Sequence, residues 1–190
     1  MKNYKWLNKP QTFVENDNTL TIKTQRGTDM WQQTHYGFSK NNAPMYLTTS
    51  KDKSFVYQVT TKFDSNFLYD QCGIIIYLDE NNWAKFSSEY ENSRFQRLGG
   101  VVTKNGYSDW ATQDVSANIK NISYKVTREA NDFVVEYSFN NKDYHQLRIF
   151  NLSFGKSLTS VAIGLYACSP QGEGFKAVFQ NPKFIVENEK

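Results

Sequence analysis

Tyr69-Asp70-Gln71-Cys72-Gly73-Ile74-Ile75-Ile76-Tyr77-Leu78 decides the fold, together with the turn Asp79-Glu80-Asn81-Asn82 and the run Trp83-Ala84-Lys85-Phe86-Ser87-Ser88-Glu89. Cys72 to Leu78 is apolar at odd and even positions alike, as a strand covered on both faces requires. A strand alternates its side chains between two faces, so Trp83, Lys85, Ser87 and Glu89 share one side. Ala84, Phe86 and Ser88 take the other. An aromatic, a cation, a hydroxyl and a carboxylate in one row are poor core material. They are good material for gripping something polar.

The same alternation recurs on either side of this stretch. Leu20-Thr21-Ile22-Lys23-Thr24 reads as a half-buried strand, and Phe55, Tyr57, Val59 and Thr61 stand opposite Val56, Gln58, Thr60 and Lys62. Ile122, Tyr124 and Val126 form one face of a later strand. Asn131-Asp132 and Asn140-Asn141-Lys142-Asp143 read as turns around Phe133 to Phe139. Val161 to Cys168 is a second run apolar on both parities, followed by Phe175, Ala177 and Phe179, with Phe184 to Val186 closing the sheet. Trp6-Leu7 reads as an edge segment stopped by Pro10, and Gly99-Gly100 as an interruption permitting a bulge or a close backbone approach. About a dozen strands with turns every ~8–12 residues spell a two-sheet β-sandwich, and that many strands favour a large jelly roll.

Composition agrees. The 190 residues fit one domain spanning 1–190, and the 14 Phe, 12 Tyr and 4 Trp favour strands over helices. No run of about 18 apolar residues crosses a membrane as a helix, and Met1-Lys2-Asn3-Tyr4-Lys5-Trp6 lacks the apolar core of a secretory signal, so a cytoplasmic address is expected. The 22 basic and 19 acidic residues are interspersed, giving +3 without the basic stripe that nucleic acid requires. Cys72 and Cys168 read as buried free thiols, with a disulfide requiring both secretion and neighbouring strands.

Several motifs in order carry a resemblance over nearly the whole chain. They are Trp31-Gln32-Gln33-Thr34-His35-Tyr36-Gly37-Phe38, Tyr69-Asp70-Gln71-x-Gly73, Trp83-x-Lys85 with Glu89, Val101-Val102-Thr103, Ser108-Asp109-Trp110 and Gly164-Leu165-Tyr166-Ala167-Cys168-Ser169-Pro170. They resemble the uncharacterised family numbered 1349 among domains of unknown function, grouped under the name regulation-of-enolase protein, in the concanavalin A-like lectin/glucanase superfamily. The resemblance implies an all-β fold, a concanavalin A-like jelly-roll β-sandwich of two curved antiparallel sheets with a sugar-binding or sugar-cleaving concave face. It implies no reaction, and likeness of fold alone does not assign one.

Sugar sites combine aromatic platforms with carboxylates, amides and cations. The candidate ligand-binding residues are Trp31, His35, Trp83, Lys85, Ser87, Glu89, Asp109 and Trp110. Each has a plainer structural reading: a tryptophan in the core, a Lys–Glu surface pair, an Asp109 serving a turn. Glycoside hydrolysis needs two carboxyls flanking one bond, for which Glu89 and Asp109 are the candidates and Glu136 a poorer third. The Glu-x-Asp-x-x-Glu strand of the superfamily's family-16 glucanases is absent, with lysine and serine standing in the row instead. No zinc spacing, phosphate loop or Gly-x-Ser-x-Gly occurs, and Asp79-Glu80-Asn81-Asn82 reads as a turn before a calcium site. No cofactor or metal is expected. The reading is a carbohydrate-binding protein, with a regulatory protein acting on a metabolic enzyme as the alternative and a glycosidase as the next. Monomer and edge-paired homodimer both fit.

Overall fold

The computed structural model describes residues 1, 3–153, 155 and 157–186. The chain opens with β1 (Lys5–Leu7), β2 (Thr12–Asn16), β3 (Thr19–Lys23), the short pair β4 (Met30–Gln32) and β5 (Ser39–Asn41), and β6 (Met45–Ser50). It continues through β7 (Ser54–Phe63), β8 (Gln71–Asp79), β9 (Asn82–Tyr90), β10 (Phe95–Lys104) and β11 (Tyr107–Ser116). It finishes with β12 (Asn121–Glu129), β13 (Asp132–Ser138), β14 (His145–Asn151), β15 (Val161–Cys168) and β16 (Lys176–Val186). One seven-stranded sheet has the order β1-β6-β15-β8-β9-β10-β11, and the other β14-β13-β12-β7-β16-β3-β2. Neighbours within each sheet run antiparallel. The fold is the all-β sandwich that the alternation predicts.

Between the sheets lies the main core, in which Ile74, Ile76, Ala84 and Phe86 meet Phe55, Tyr57, Tyr124, Val126 and Phe179. Each of the large aliphatic and Phe side chains among them contributes about 1.5–3 kcal/mol by leaving water. A second core forms on the far side of the β8-containing sheet, where Met30 and Trp31 of β4 pack on Ile75, Trp83, Val101, Tyr166 and Cys168. The β4–β5 hairpin is therefore a cap on that outer face. Its attachment is polar as well: the Gln32 backbone N–H donates to Ser108 Oγ at 3.0 Å, and Ser108 Oγ lies 2.8 Å from Thr103 Oγ1. Two covered faces explain why β8 and β15 are apolar on both parities.

Two local expectations need correcting. Gly99 and Gly100 do not interrupt β10, which pairs without a shift against both β9 and β11. They serve close approach: a Cβ on Gly100 would fall 2.2 Å from the Phe86 ring, and one on Gly99 would fall 2.1 Å from the Ala111 carbonyl oxygen. Phe184 to Val186 is the end of β16 itself, past a register irregularity at Asn181-Pro182, where proline has no N–H to give the ladder. Cys72 and Cys168 are buried free thiols as expected; they lie on neighbouring strands, but Cys72 faces the main core and Cys168 the outer one, so a disulfide cannot join them.

Candidate functional site

The register of the capped sheet lays out the site row by row. On its outer face Gln71 and Glu89 stand side by side with Arg97. The next row is Gly73, Ser87 and Gly99, and the one after is Ile75, Lys85, Val101 and Trp110. Two glycines flanking a serine leave the middle row nearly bare, so a trough opens between the rows on either side. The hairpin cap roofs part of it. What remains is a cavity of about 160 Å³ lined by Asp29, Trp31, Tyr36, Phe38, Tyr69, Gln71, Lys85, Glu89, Val101, Trp110 and Pro170.

Its polar floor is a connected network centred on Gln71. Lys85 Nζ donates to Gln71 Oε1 at 2.9 Å, while Gln71 Nε2 donates to Glu89 Oε2 at 2.6 Å and to the Tyr69 carbonyl at 3.2 Å. An ammonium only donates and a carboxylate only accepts, so this is the one amide orientation that satisfies both neighbours. Tyr166 donates to Ser87 Oγ at 2.6 Å and its hydroxyl lies 3.1 Å from Gln71 Oε1, beneath the cavity. Lys85 is 4% exposed, and its charge is met by Asp29 at 3.8 Å. Glu89 keeps a little solvent contact, yet protein surrounds its carboxyl, and burial raises its pKa to about 7. The Asp29 and Glu91 carboxylates push the same way, against Lys85 and the Gln71 amide. Burial likewise holds the Tyr69 and Tyr166 phenols above their ordinary range.

The walls are aromatic. Trp31 meets Trp110 edge to face at 6.4 Å and Tyr36 at 5.4 Å, and the Arg97 guanidinium lies 5.6 Å from the Trp110 ring centre. The hairpin loop turns sharply through positive φ at Gln33, His35 and Gly37, closed by bonds from Gln33 N–H to the Phe38 carbonyl and from Gly37 N–H to the Gln33 carbonyl. That turn leaves Tyr36 56% and Phe38 39% exposed at the rim.

Of the residues expected from sequence, Trp31, Lys85, Glu89 and Trp110 meet at this cavity. Trp83 shares their face but is fully buried under the hairpin, its indole donating to the Glu80 carbonyl at 3.2 Å, so it is core. Ser87 lies under the cavity and braces Tyr166. His35 sits outside, edge-on to Tyr36 at 4.8 Å, at a second hollow that it shares with Trp31, Thr34, Tyr36, Ser108, Asp109 and Trp110. Asp109 is the clearest correction. It precedes Trp110 on β11, so its side chain takes the opposite face, where it accepts from Arg148 at 2.8 Å and stays largely exposed. Its partner Val102 pairs with Ala84, five residues along β9 from Glu89, about 16 Å at strand rise. Glu89 and Asp109 therefore cannot flank one glycosidic bond. Glu136 belongs to the other sheet, paired with Lys125 at 2.6 Å. Asp79 is occupied by its own turn, accepting from the Asn81 N–H at 2.8 Å and the Asn82 amide at 2.9 Å. No group of three metal-ligating side chains occurs among the described residues.

The residues that sequence reasoning passed over are Gln71, Tyr69, Tyr166, Asp29 and Arg97. Parity could have found Arg97, which pairs directly with Glu89, and Gln71, which begins the buried strand. Nothing local marks Asp29, which the hairpin delivers from a distant part of the chain.

Comparison with known proteins places this architecture. The chain is 30% identical over 174 residues to "Regulation of enolase protein 1" of Saccharomyces cerevisiae, covering 92% of this chain and 85% of that one. A crystal structure described as a functionally unknown protein from Saccharomyces cerevisiae superposes with a TM-score of 0.89 at 27% identity over 98% of each chain. The GH43 BlXynB protein from Bacillus licheniformis superposes with a TM-score of 0.77 at 18% identity, over 97% of this chain but 37% of that one, a likeness of fold alone. The family described as "Protein of unknown function (DUF1349)" matches residues 6–185, and the chain belongs to it.

Proposed function

We propose that the protein binds a carbohydrate or a related polar small molecule in the capped trough, without catalysing a reaction on it. One observation carries this reading: the aromatic side chains of Trp31, Tyr36 and Trp110 line a single cavity together with the hydrogen-bonded floor of Gln71, Lys85 and Glu89. A sugar offers C–H faces to rings and hydroxyl edges to amides and charges, and small-ligand sites are concave, mostly apolar and marked by a few convergent polar groups. The opposite facing of Glu89 and Asp109 supports binding over hydrolysis. The two unpaired buried thiols suit a reducing, cytoplasmic setting. Calorimetric titration against a panel of mono- and oligosaccharides tests it. Saturable binding lost in Trp110→Ala and Glu89→Ala, with melting temperatures near the parent's, is the expected result. Variants that simply unfold would make these residues structural.

A second reading, modulation of a metabolic enzyme, draws on the name "Regulation of enolase protein 1" carried by the 30% identical relative. Stoichiometric co-purification of one cytosolic enzyme, with silence across the sugar panel, would favour it.

A further inference from the structure

The charges around the cavity do not balance. Asp29, Glu89 and Glu91 bring three carboxylates, against the two cations Lys85 and Arg97. Lys85 is held by Asp29 at 3.8 Å and by Gln71, and Arg97 by Glu91 at 3.0 Å. Arg97 is directly opposite Glu89 in register, yet it spends its charge on Glu91 and the Trp110 ring. Glu89 has one neutral hydrogen-bond donor, the Gln71 amide at 2.6 Å, and no cation within ion-pair distance among the described residues. A carboxylate in that position is one cation short.

The walls answer the same need. Five of the lining residues, Trp31, Tyr36, Phe38, Tyr69 and Trp110, are aromatic. Ring faces are the negative pole of the aromatic quadrupole, and boxes of such faces around one carboxylate are how proteins hold ammonium groups. We propose that the cavity is an ammonium site: a protonated amine carried on a sugar ring seats among the aromatic faces with the Glu89 carboxylate as its counter-ion. The sugar ring in this statement rests on the carbohydrate reading above; the ammonium group rests on the rings and the charge count.

The test is calorimetry at neutral pH with three probes: glucosamine, glucose and choline, whose charge is permanent. Glucosamine is expected to bind about tenfold more tightly than glucose, a ratio within reach of one charge pair plus cation–π contacts. Glu89→Gln is expected to bring glucosamine down to the level that glucose shows in the same variant, and a thermal melt near the parent's shows that the variant folds. Glucose binding as tightly as glucosamine, or a preference that survives Glu89→Gln, would overturn the ammonium site while sparing the carbohydrate reading. Choline binding lost in Glu89→Gln, with neither sugar binding, would uphold the ammonium site and sink the carbohydrate reading. Silence from all three probes would overturn both.

Discussion

Glu89 shows how much one side chain can report on its surroundings. Its carboxyl is surrounded by protein, opposed by Asp29 and Glu91, and its pKa lies near 7 against an ordinary 4.5. The folded state therefore holds this proton at pH values where the unfolded chain has released it. Stability falls as pH rises from about 4.5 to 7 and is level above that, because the native state binds more protons only inside this window. The size of the fall is on the order of 3 kcal/mol at most, and less to the extent that solvent reaches the group. Glu89→Gln keeps the shape and removes the titration. Urea unfolding at pH 5 and pH 8 should show a parent protein less stable at the higher pH, and a variant whose difference between the two is smaller by that term. Equal pH dependence in both proteins would mean that water solvates the carboxylate as well in the fold as outside it. Alternation alone put Glu89 on one face with Lys85. Its environment was beyond the sequence, because Asp29 arrives from 60 residues upstream and Gln71 from the neighbouring strand.

At the level of elements, the hairpin of β4 and β5 turns an open sheet face into a site. Three-residue strands carry too few positions to display a period, so Met30 to Asn41 gave no sign of being a cap. What could be read was its consequence: β8 and β15, apolar on both parities, demand a cover on each side. The misplacing of Asp109 came from the same scale. Read as a turn, Ser108-Asp109-Trp110 could point all ways, but read as part of β11 it splits Asp109 from Trp110 onto opposite faces. The cap also separates two tryptophans that look alike in sequence. Trp31 is 8% exposed and is both core and wall, whereas Trp110 is half-buried at the sheet's edge strand. Trp31→Ala should cost about 3–5 kcal/mol, the range for removing a large buried aromatic, and should abolish ligand binding with it. Trp110→Ala should abolish binding with a small change in melting temperature. Thermal melts of the pair check this. Similar losses of stability would show that the hairpin holds its place without Trp31.

Across the whole molecule the cavity and the sandwich core lie on opposite sides of one sheet, so residues lining the cavity can change without loosening the packing between sheets. The ends of the sandwich need holding separately, and there the strand period leads to an unexpected residue. Ile122, Tyr124 and Val126 face the core, and continuing by two places brings Arg128 to an inward position that sequence patterning would reserve for an apolar side chain. Arg128 is fully buried in the structure. Its Nε donates to the Ala130 carbonyl at 2.8 Å, Nη1 to the Asp52 carbonyl at 3.0 Å and Nη2 to the Leu158 carbonyl at 2.9 Å. One guanidinium thus clasps the β12–β13 turn, the loop before β7 and the segment before β15. Replacing it strands three carbonyls that the loops cannot turn to water without moving. Arg128→Leu should therefore cost about 3–5 kcal/mol. Arg128→Lys should recover only part of that, since a point ammonium on a flexible stem cannot present the planar fork. Urea midpoints for the two variants measure it, and a loss under about 1 kcal/mol in Arg128→Leu would place the stability of this end in loop packing instead of the clasp.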